Sequence, residues 1–252
     1  MNAQARLRLF CFPHAGSGAS VYHGWTAALS DLVDVRAVHL PGRESRLREP
    51  AFTEAEESAA TISKALEERL DLPFAFFGHS MGALLSFEVA RALRRKGLPE
   101  PFYLFVSGHR APQIPSPRPA VFHLPDDEFL EALRDLYDPP EEAMKIPELR
   151  ALLLPTLRAD ITLCESYDHS PEAPLGCPIF AFGGRDDQET PLEALESWGA
   201  QTDGRFEMMR FAGGHFYLDA ALPEIQHLVN SKLLAALDSL VESPAAAGEA
   251  AE

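Results

Sequence analysis

Five residues, Gly78-His79-Ser80-Met81-Gly82, stand between an apolar run at 73–77 that reads as a strand and a stretch at 83–96 that reads as a helix. No other feature restricts the fold of this chain so strongly. Passing from strand to helix in so few residues demands a sharp turn. A serine at its apex is driven into a strained backbone conformation, and the flanking glycines leave room for strand and helix to approach. The hydroxyl then stands out at the carboxyl edge of a sheet and at the mouth of a helix, with the N–H of Met81 facing the same space. This is a nucleophile elbow. The alternative is a glycine-rich turn holding an incidental serine, and the strand before it and the helix after it speak against that.

The rest of the chain supplies the sheet that such an elbow needs. Apolar, β-rich runs at 7–12, 33–40, 73–77, 102–106, 178–182 and 206–211 read as strands, several apolar almost throughout, as strands covered on both faces are. Helical patterns lie between them at 21–29, 53–70, 83–96, 191–202 and 222–241; Leu85, Val89 and Leu93 share one helical face, and Thr53 with Glu56 fits a capping box. The alternation predicts an α/β fold, a mostly parallel central sheet flanked by helices. The rhythm breaks after 106. A proline-rich segment at 111–119 is followed by helical patterns at 126–137 (Phe129, Leu130, Leu133, Leu136) and 147–164. This interval, about 112–170, is expected to be a helical lid over the active edge, with peripheral decoration as the alternative. The expected organisation is one domain over 1–242 and a flexible Ala/Gly/Glu-rich tail over 243–252.

Composition removes other classes of function. The 252 residues are 46% hydrophobic, enough for a sizeable core, and the formal net charge is −16, which disfavours nucleic acid and anionic membrane surfaces as partners. Cys11, Cys164 and Cys177 form no C-x-x-C pair and suggest neither a disulfide framework nor a zinc site. The first residues lack the pattern of a signal peptide, and no apolar run is long enough to span a bilayer, so a cytoplasmic protein is expected.

A serine hydroxyl needs a base to take its proton and a carboxylate to orient that base, and on a sheet entered by such an elbow these follow in the order Ser, Asp or Glu, His. Gly213-Gly214-His215 follows the last predicted strand, on a loop whose glycines let an imidazole swing back over Ser80. The preceding strand leads into Gly183-Gly184-Arg185-Asp186-Asp187. Asp187 stands three residues after Gly184 and shortly before Thr190-Pro191, the spacing expected of the acid; Asp186 is the alternative. Ester or thioester hydrolysis also passes through a tetrahedral oxyanion that two backbone N–H groups hold. Met81 is expected to supply one. The loop Phe12-Pro13-His14-Ala15-Gly16-Ser17-Gly18 is expected to supply the other from Ala15. As a phosphate cradle this loop lacks the G-K-[ST] ending and the G-x-G-x-x-G spacing.

With these residues in place, the chain resembles the α/β-hydrolase thioesterases, and more narrowly the free-standing type II thioesterases that accompany non-ribosomal peptide and polyketide synthases. The segments that carry the resemblance are Cys11-Phe12-Pro13-His14-Ala15-Gly16, Leu40-Pro41-Gly42-Arg43-Glu44-Ser45-Arg46, the elbow, Ser107-Gly108-His109-Arg110-Ala111-Pro112, Leu154-Pro155-Thr156-Leu157-Arg158-Ala159-Asp160, 184–187 with Trp198, and Gly213-Gly214-His215-Phe216-Tyr217. The G-x-S-x-G pattern alone is shared with lipases, esterases and peptidases; the P-H-A-G, P-G-R-x-x-R and L-P-x-L-R-A-D segments are far more specific. The resemblance implies removal of acyl, aminoacyl or peptidyl groups from the phosphopantetheine arm of acyl- or peptidyl-carrier proteins. Ser80 would form an acyl-enzyme and His215 would shuttle the proton, with no metal or cofactor. The sequence departs from the family near Tyr137-Asp138-Pro139-Pro140, where two prolines and Glu141-Glu142 stand. A monomer is expected. Carrier proteins are acidic, so docking on this acidic chain calls for local basic surface, for which Arg43, Arg46, Arg48 and Arg94-Arg95-Lys96 are candidates; the last three equally suit a helix C-terminus. The rival readings are a small-ester hydrolase of the same fold and a catalytically idle binding partner.

Overall fold

A computed structural model describes residues 4–137 and 144–242. Its centre is a six-stranded sheet in the order β2-β1-β3-β4-β5-β6, parallel at every pairing. The strands are β1 (Leu7–Phe12), β2 (Val33–Ala37), β3 (Phe74–His79), β4 (Tyr103–Ser107), β5 (Ile179–Gly184) and β6 (Phe206–Phe211). The four central strands are buried along their whole length, while the edge strands β2 and β6 are partly open. That difference is why the inner strands read as unbroken apolar runs.

The two-residue period of the strands sorts their side chains into two cores. Phe10, Phe12, Phe76, Leu104, Val106, Ile179 and Ala181 face one side and pack against helices α2 (Ala55–Leu66) and α3 (Met81–Arg95). Leu9, Cys11, Ala75, Phe77, Phe105, Phe180 and Phe182 face the other. There they meet Trp25 of the short helix α1 (Trp25–Ala28) and the stripe Ile225, Val229, Leu233, Leu237, whose four-residue steps mark one face of the long last helix, Tyr217–Glu242. Every residue of α3 from Met81 to Leu93 is buried.

From β1 the chain moves to β2 on one side, and from β3 it moves to β4 on the other. Loops leaving the carboxyl ends of β1 and β3 therefore diverge and open a crevice between them, the place where ligands bind on sheets of this topology. The glycine-rich loop after β1 and the serine after β3 both face it.

Among the described residues between β4 and β5 no strand joins the sheet. The insertion holds α4 (Asp126–Tyr137) and α5 (Pro147–Glu165), and Phe129, Leu133, Leu154, Leu157 and Ile161 form a third, separate apolar cluster. Pro147 opens α5, where its missing N–H costs nothing. The remaining helix of the sheet layer, α6 (Leu192–Glu196), continues as a 3-10 turn through Ser197–Gln201.

Several boundaries differ from the sequence expectation. The helix expected at 21–29 is a 3-10 turn, Ala19–Tyr22, followed by α1. Strand β2 stops at Ala37, three residues early. Thr53 does not cap α2: Glu54 is the N-cap residue, no side chain caps the helix, and Ser58 turns back to bond the Glu54 carbonyl with both its N–H and its hydroxyl. The last helix begins at Tyr217 and runs through Pro223, five residues before the expected start. The expected tail and the departure at 138–142 lie outside the described residues.

Candidate active site

Ser80 follows the last residue of β3 and immediately precedes α3. Its backbone stands at φ 53° and ψ −122°, a strained conformation for a residue with a Cβ. The neighbours hold it there. The Ser80 N–H bonds the Ser107 carbonyl of β4 at 2.8 Å, and the Ser80 carbonyl accepts the N–H of Ala83 at 2.9 Å in the first turn of the helix. The flanking glycines are obligatory for reasons of space. A Cβ on Gly78 would collide with the Gly82 carbonyl and stand 2.5 Å from the Ala83 nitrogen; a Cβ on Gly82 would collide with the Phe12 carbonyl at the end of β1.

The loop after β6 returns His215 over the serine. His215 Nε2 lies 3.0 Å from Ser80 Oγ, and His215 Nδ1 lies 3.0 Å from Asp187 Oδ2. Residues 135 and 28 positions apart thus form one hydrogen-bonded line, and all three side chains are buried. The other Asp187 oxygen accepts the Glu189 N–H at 2.9 Å. Burial pushes the Asp187 carboxyl upward, but the hydrogen bond and charge of His215 and the Glu189 N–H outweigh it, so the group stays ionised below its ordinary range. A carboxylate there accepts a proton-bearing Nδ1, which leaves Nε2 as the acceptor facing the serine hydroxyl. The alternative acid, Asp186, is exposed.

The loop after β1 shows why Ala15 can present its N–H. The His14 carbonyl accepts the N–H and the hydroxyl of Ser17, at 3.1 and 2.8 Å. The Ala15 N–H belongs to the same trans peptide plane, so it points the opposite way. The Ala15 carbonyl accepts His14 Nδ1 at 3.0 Å, the Gly16 N–H donates to Asp160 Oδ2 at 2.8 Å, and the Ser17 carbonyl accepts Arg43 Nη1 at 2.9 Å. The polar groups around Ala15 are tied, and its own N–H is left unpaired among the described residues. The N–H of Met81, the first residue of α3, is likewise an unspent donor at a helix N-terminus.

Asp160 and Arg43 are the pair that sequence reasoning missed. Asp160, on α5, is 1% exposed and takes both terminal guanidinium nitrogens of Arg43, at 2.8 and 2.7 Å. Arg43 also donates to the Pro41 carbonyl. Its assignment as a docking cation is therefore wrong: the guanidinium is buried because it neutralises a buried carboxylate. Most of the other cations named for docking are paired too. Arg46 binds Glu49, Arg94 and Arg95 bind Glu172, and Lys96 binds Glu67. Arg48 is exposed.

A ring of imidazoles surrounds the line. His79, inside the elbow, is fully buried; its Nδ1 lies 2.9 Å from Ser107 Oγ, which lies 2.6 Å from the Tyr217 hydroxyl, and its ring centre is 5.3 Å from that of His215. Burial and the neighbouring His215, His14 and His109 keep it neutral far into the acid range. Burial, then the charge of Arg110, lowers His109 to about 3. Only its adjacency to Ser80 marked His79 in the sequence, and Ser107 and Tyr217 were visible only as members of matching segments.

Ser80 and His215 open onto a cavity of about 280 Å³ that the insertion roofs, lined by Arg110, Arg118, Val121, Cys164, Glu165 and Glu189 among others. A larger cavity of about 580 Å³ lies at the β2 edge, against Phe10, Arg36 and Ile62, and includes none of these residues. Among the described residues no three His, Cys, Asp or Glu side chains are grouped to hold a metal ion, and no helix is long and apolar enough to cross a membrane.

Residues 7–233 match the family described as the thioesterase domain. The gramicidin S biosynthesis protein GrsT of Aneurinibacillus migulanus is 42% identical over 218 residues, 86% of this chain and 85% of that protein. Of solved structures, RedJ, a thioesterase from the prodiginine biosynthetic pathway in Streptomyces coelicolor, matches with a TM-score of 0.83 at 42% identity, covering 90% of this chain and 92% of its own. YbtT, a type II thioesterase from the yersiniabactin NRPS/PKS biosynthetic pathway, matches with a TM-score of 0.80 at 29% identity, covering 90% and 92%.

Proposed function

The chain belongs to the thioesterase family, and from that premise we propose that it clears acyl, aminoacyl or peptidyl thioesters from the phosphopantetheine arm of carrier proteins in a non-ribosomal peptide or polyketide synthase, using Ser80, His215 and Asp187. The observation that carries this reading is the line of two 3.0 Å hydrogen bonds from Ser80 through His215 to Asp187 at the carboxyl edge of the sheet. The synthase connection comes from the relatives, YbtT among them.

In the first half-reaction Ser80 Oγ attacks the thioester carbonyl carbon as His215 Nε2 takes the hydroxyl proton. The carbonyl oxygen becomes an oxyanion, which the N–H groups of Met81 and Ala15 receive. The intermediate collapses by breaking the C–S bond, and His215 returns its proton to the departing thiol of the phosphopantetheine. The acyl group is left as an ester on Ser80. In the second half, water gives its proton to His215 and attacks the ester; Ser80 Oγ leaves and is reprotonated. Asp187 holds the imidazole in the tautomer that each step needs and offsets its charge when protonated. The protein supplies these groups from its own side chains and backbone, without metal or cofactor. The insertion at about 112–170 serves as a lid, since it roofs the cavity onto which Ser80 opens. The proposed compartment is the cytoplasm, where the free thiols of Cys11, Cys164 and Cys177 would persist.

The test is hydrolysis of a panel of acyl- and aminoacyl-carrier thioesters beside free esters, with Ser80→Ala as control. Carrier-bound thioesters should be turned over faster than free esters by the wild type and not at all by the variant. Preference for free esters, or turnover surviving in Ser80→Ala, would refute the reading.

A further inference from the structure

We propose that Asp160 is a positioning residue for oxyanion stabilisation: from the lid helix α5 it clamps the Gly16 N–H and thereby fixes the direction in which Ala15 presents its own. The inference rests on the reading of Ala15 as an oxyanion donor.

The geometry leaves the carboxylate few other tasks. Asp160 accepts three N–H groups, from Gly16 and twice from Arg43, at 2.7 to 2.8 Å. Arg43 passes the constraint onward to the Ser17 carbonyl at 2.9 Å. The peptide plane between Ala15 and Gly16 is thus pinned at both ends, its carbonyl by the His14 ring and its N–H by Asp160. Rotation of that plane turns the neighbouring plane that carries the Ala15 N–H. Two further contacts seat α5 on the same ground. Thr156 donates to the Gly42 carbonyl at 2.6 Å, and a Cβ built on Gly16 would stand 3.1 Å from the Leu157 side chain. Only a carboxylate serves here. An amide would turn an N–H toward one of the three donors, and an apolar side chain would take the acceptor from the Gly16 N–H and leave the buried Arg43 with carbonyl partners but no counter-charge.

The same clamp ties down the lid. Its second helix is fastened to the oxyanion loop and to the loop at 41–46, while α4 is attached to α5 through Arg158, which binds Asp126 at 2.7 Å and lies over the Phe129 ring. The half of the insertion that carries Asp160 is therefore part of the site's foundation.

The experiment compares wild type with Asp160→Asn and with the double variant Arg43→Met/Asp160→Leu. The double variant removes the clamp while leaving no unpaired buried charge. Active sites are counted by stoichiometric fluorophosphonate labelling, so that misfolded molecules drop out. Turnover of an acyl-carrier thioester and inhibition by an alkyl boronic acid, whose tetrahedral adduct mimics the oxyanion, are then measured per active site. The proposal expects kcat per site to fall about 10²-fold, near the effect of losing one oxyanion donor, with KM changed less than about threefold. Boronate affinity should fall with kcat. A merely structural role would lower the number of active sites and leave both per-site quantities intact. If either variant that folds keeps per-site kcat and boronate affinity within about threefold of wild type, the proposal is overturned. Wild type that fails to turn over the thioester would instead overturn the reading of the site.

Discussion

One methyl group at Gly82 tests the elbow without touching any reacting atom. Gly82 is the second residue of α3, and its Cα faces the end of β1. A Cβ built there would collide with the Phe12 carbonyl oxygen and stand 2.7 Å from its carbon and 3.0 Å from the Pro13 carbonyl oxygen. Non-bonded carbons rest about 3.5–4.0 Å apart, so helix and loop must separate by about 1 Å. The helix has little freedom to yield, because it is buried from Met81 to Leu93. The strain therefore falls on the strand end and loop that lead to Ala15, and the distance between the Met81 and Ala15 N–H groups opens. Overpacking of this kind costs about 1–3 kcal/mol of stability, and a misplacement of about 1 Å costs roughly 10²-fold in rate. Gly82→Ala should show both effects, in urea denaturation and in kcat per fluorophosphonate-labelled site. Gly24→Ala is the control: its Cβ meets nothing within 4 Å and its φ is −74°, so stability should change by less than about 0.5 kcal/mol. A Gly82→Ala protein with rate within about threefold of wild type and unchanged stability would refute the close approach of β1 and α3 on which the elbow depends.

Other perturbations have equally definite expectations. Asp187→Asn should lower kcat about 10³–10⁴-fold while the protein stays folded, because the amide favours the wrong imidazole tautomer; a loss below tenfold would point to another acid. His109 takes up a proton in the folded protein only near pH 3, and in the unfolded chain near pH 6.5, so the unfolded state binds more protons between these limits and stability falls as pH drops through that window. The loss attributable to His109 between pH 6.5 and 5 is about 2 kcal/mol, and His79 adds in the same direction. Urea denaturation across that range should show the slope, and His109→Gln should flatten it; equal slopes in the two proteins would contradict the buried neutral imidazole. Glu88, fully buried on α3, accepts Arg91 Nη1 at 2.6 Å and the Tyr167 hydroxyl at 2.7 Å. Glu88→Ala should cost about 3 kcal/mol, the low end for a broken buried pair, because Arg91 keeps Glu172 at 2.9 Å and the Ser170 carbonyl, and Glu88→Leu/Arg91→Met should recover most of it; a double variant no better than the single would show that the cost is not one of lost charge pairing.

What the sequence disclosed follows the range of the forces involved. Ser80 was legible because the elbow is local: a few residues carry the strand, the turn and the helix. His215 and the carboxylates beside Gly184 were legible because the order of elements brings their loops to one sheet edge. Spacing favours Asp187 over Asp186, and in the structure Asp187 bonds His215 while Asp186 is exposed. The helices of the insertion were legible because α4 and α5 each carry an apolar face. The failures have equally physical causes. Thr53 satisfied a pattern for a cap, but the chain enters α2 at Glu54 and the hydroxyl of Ser58 takes the carbonyl there. The last helix begins at Tyr217, ahead of the expected 222, and runs through Pro223. Arg43 and Asp160 lie 117 positions apart, and no periodicity or turn chemistry links them. Only a folded chain reveals that the arginine is an internal counter-charge and not a surface contact.

The acyl-enzyme itself gives the most direct test. Mixing the protein with an acyl-carrier thioester, quenching in acid within milliseconds, and mapping proteolytic fragments by mass spectrometry reports where the acyl group goes. The fragment containing Ser80 should gain the mass of the acyl group transiently, and His215→Ala should gain none. Thioester turnover with no adduct at any time point, or an adduct on a different residue, would contradict the assignment of Ser80 as the nucleophile.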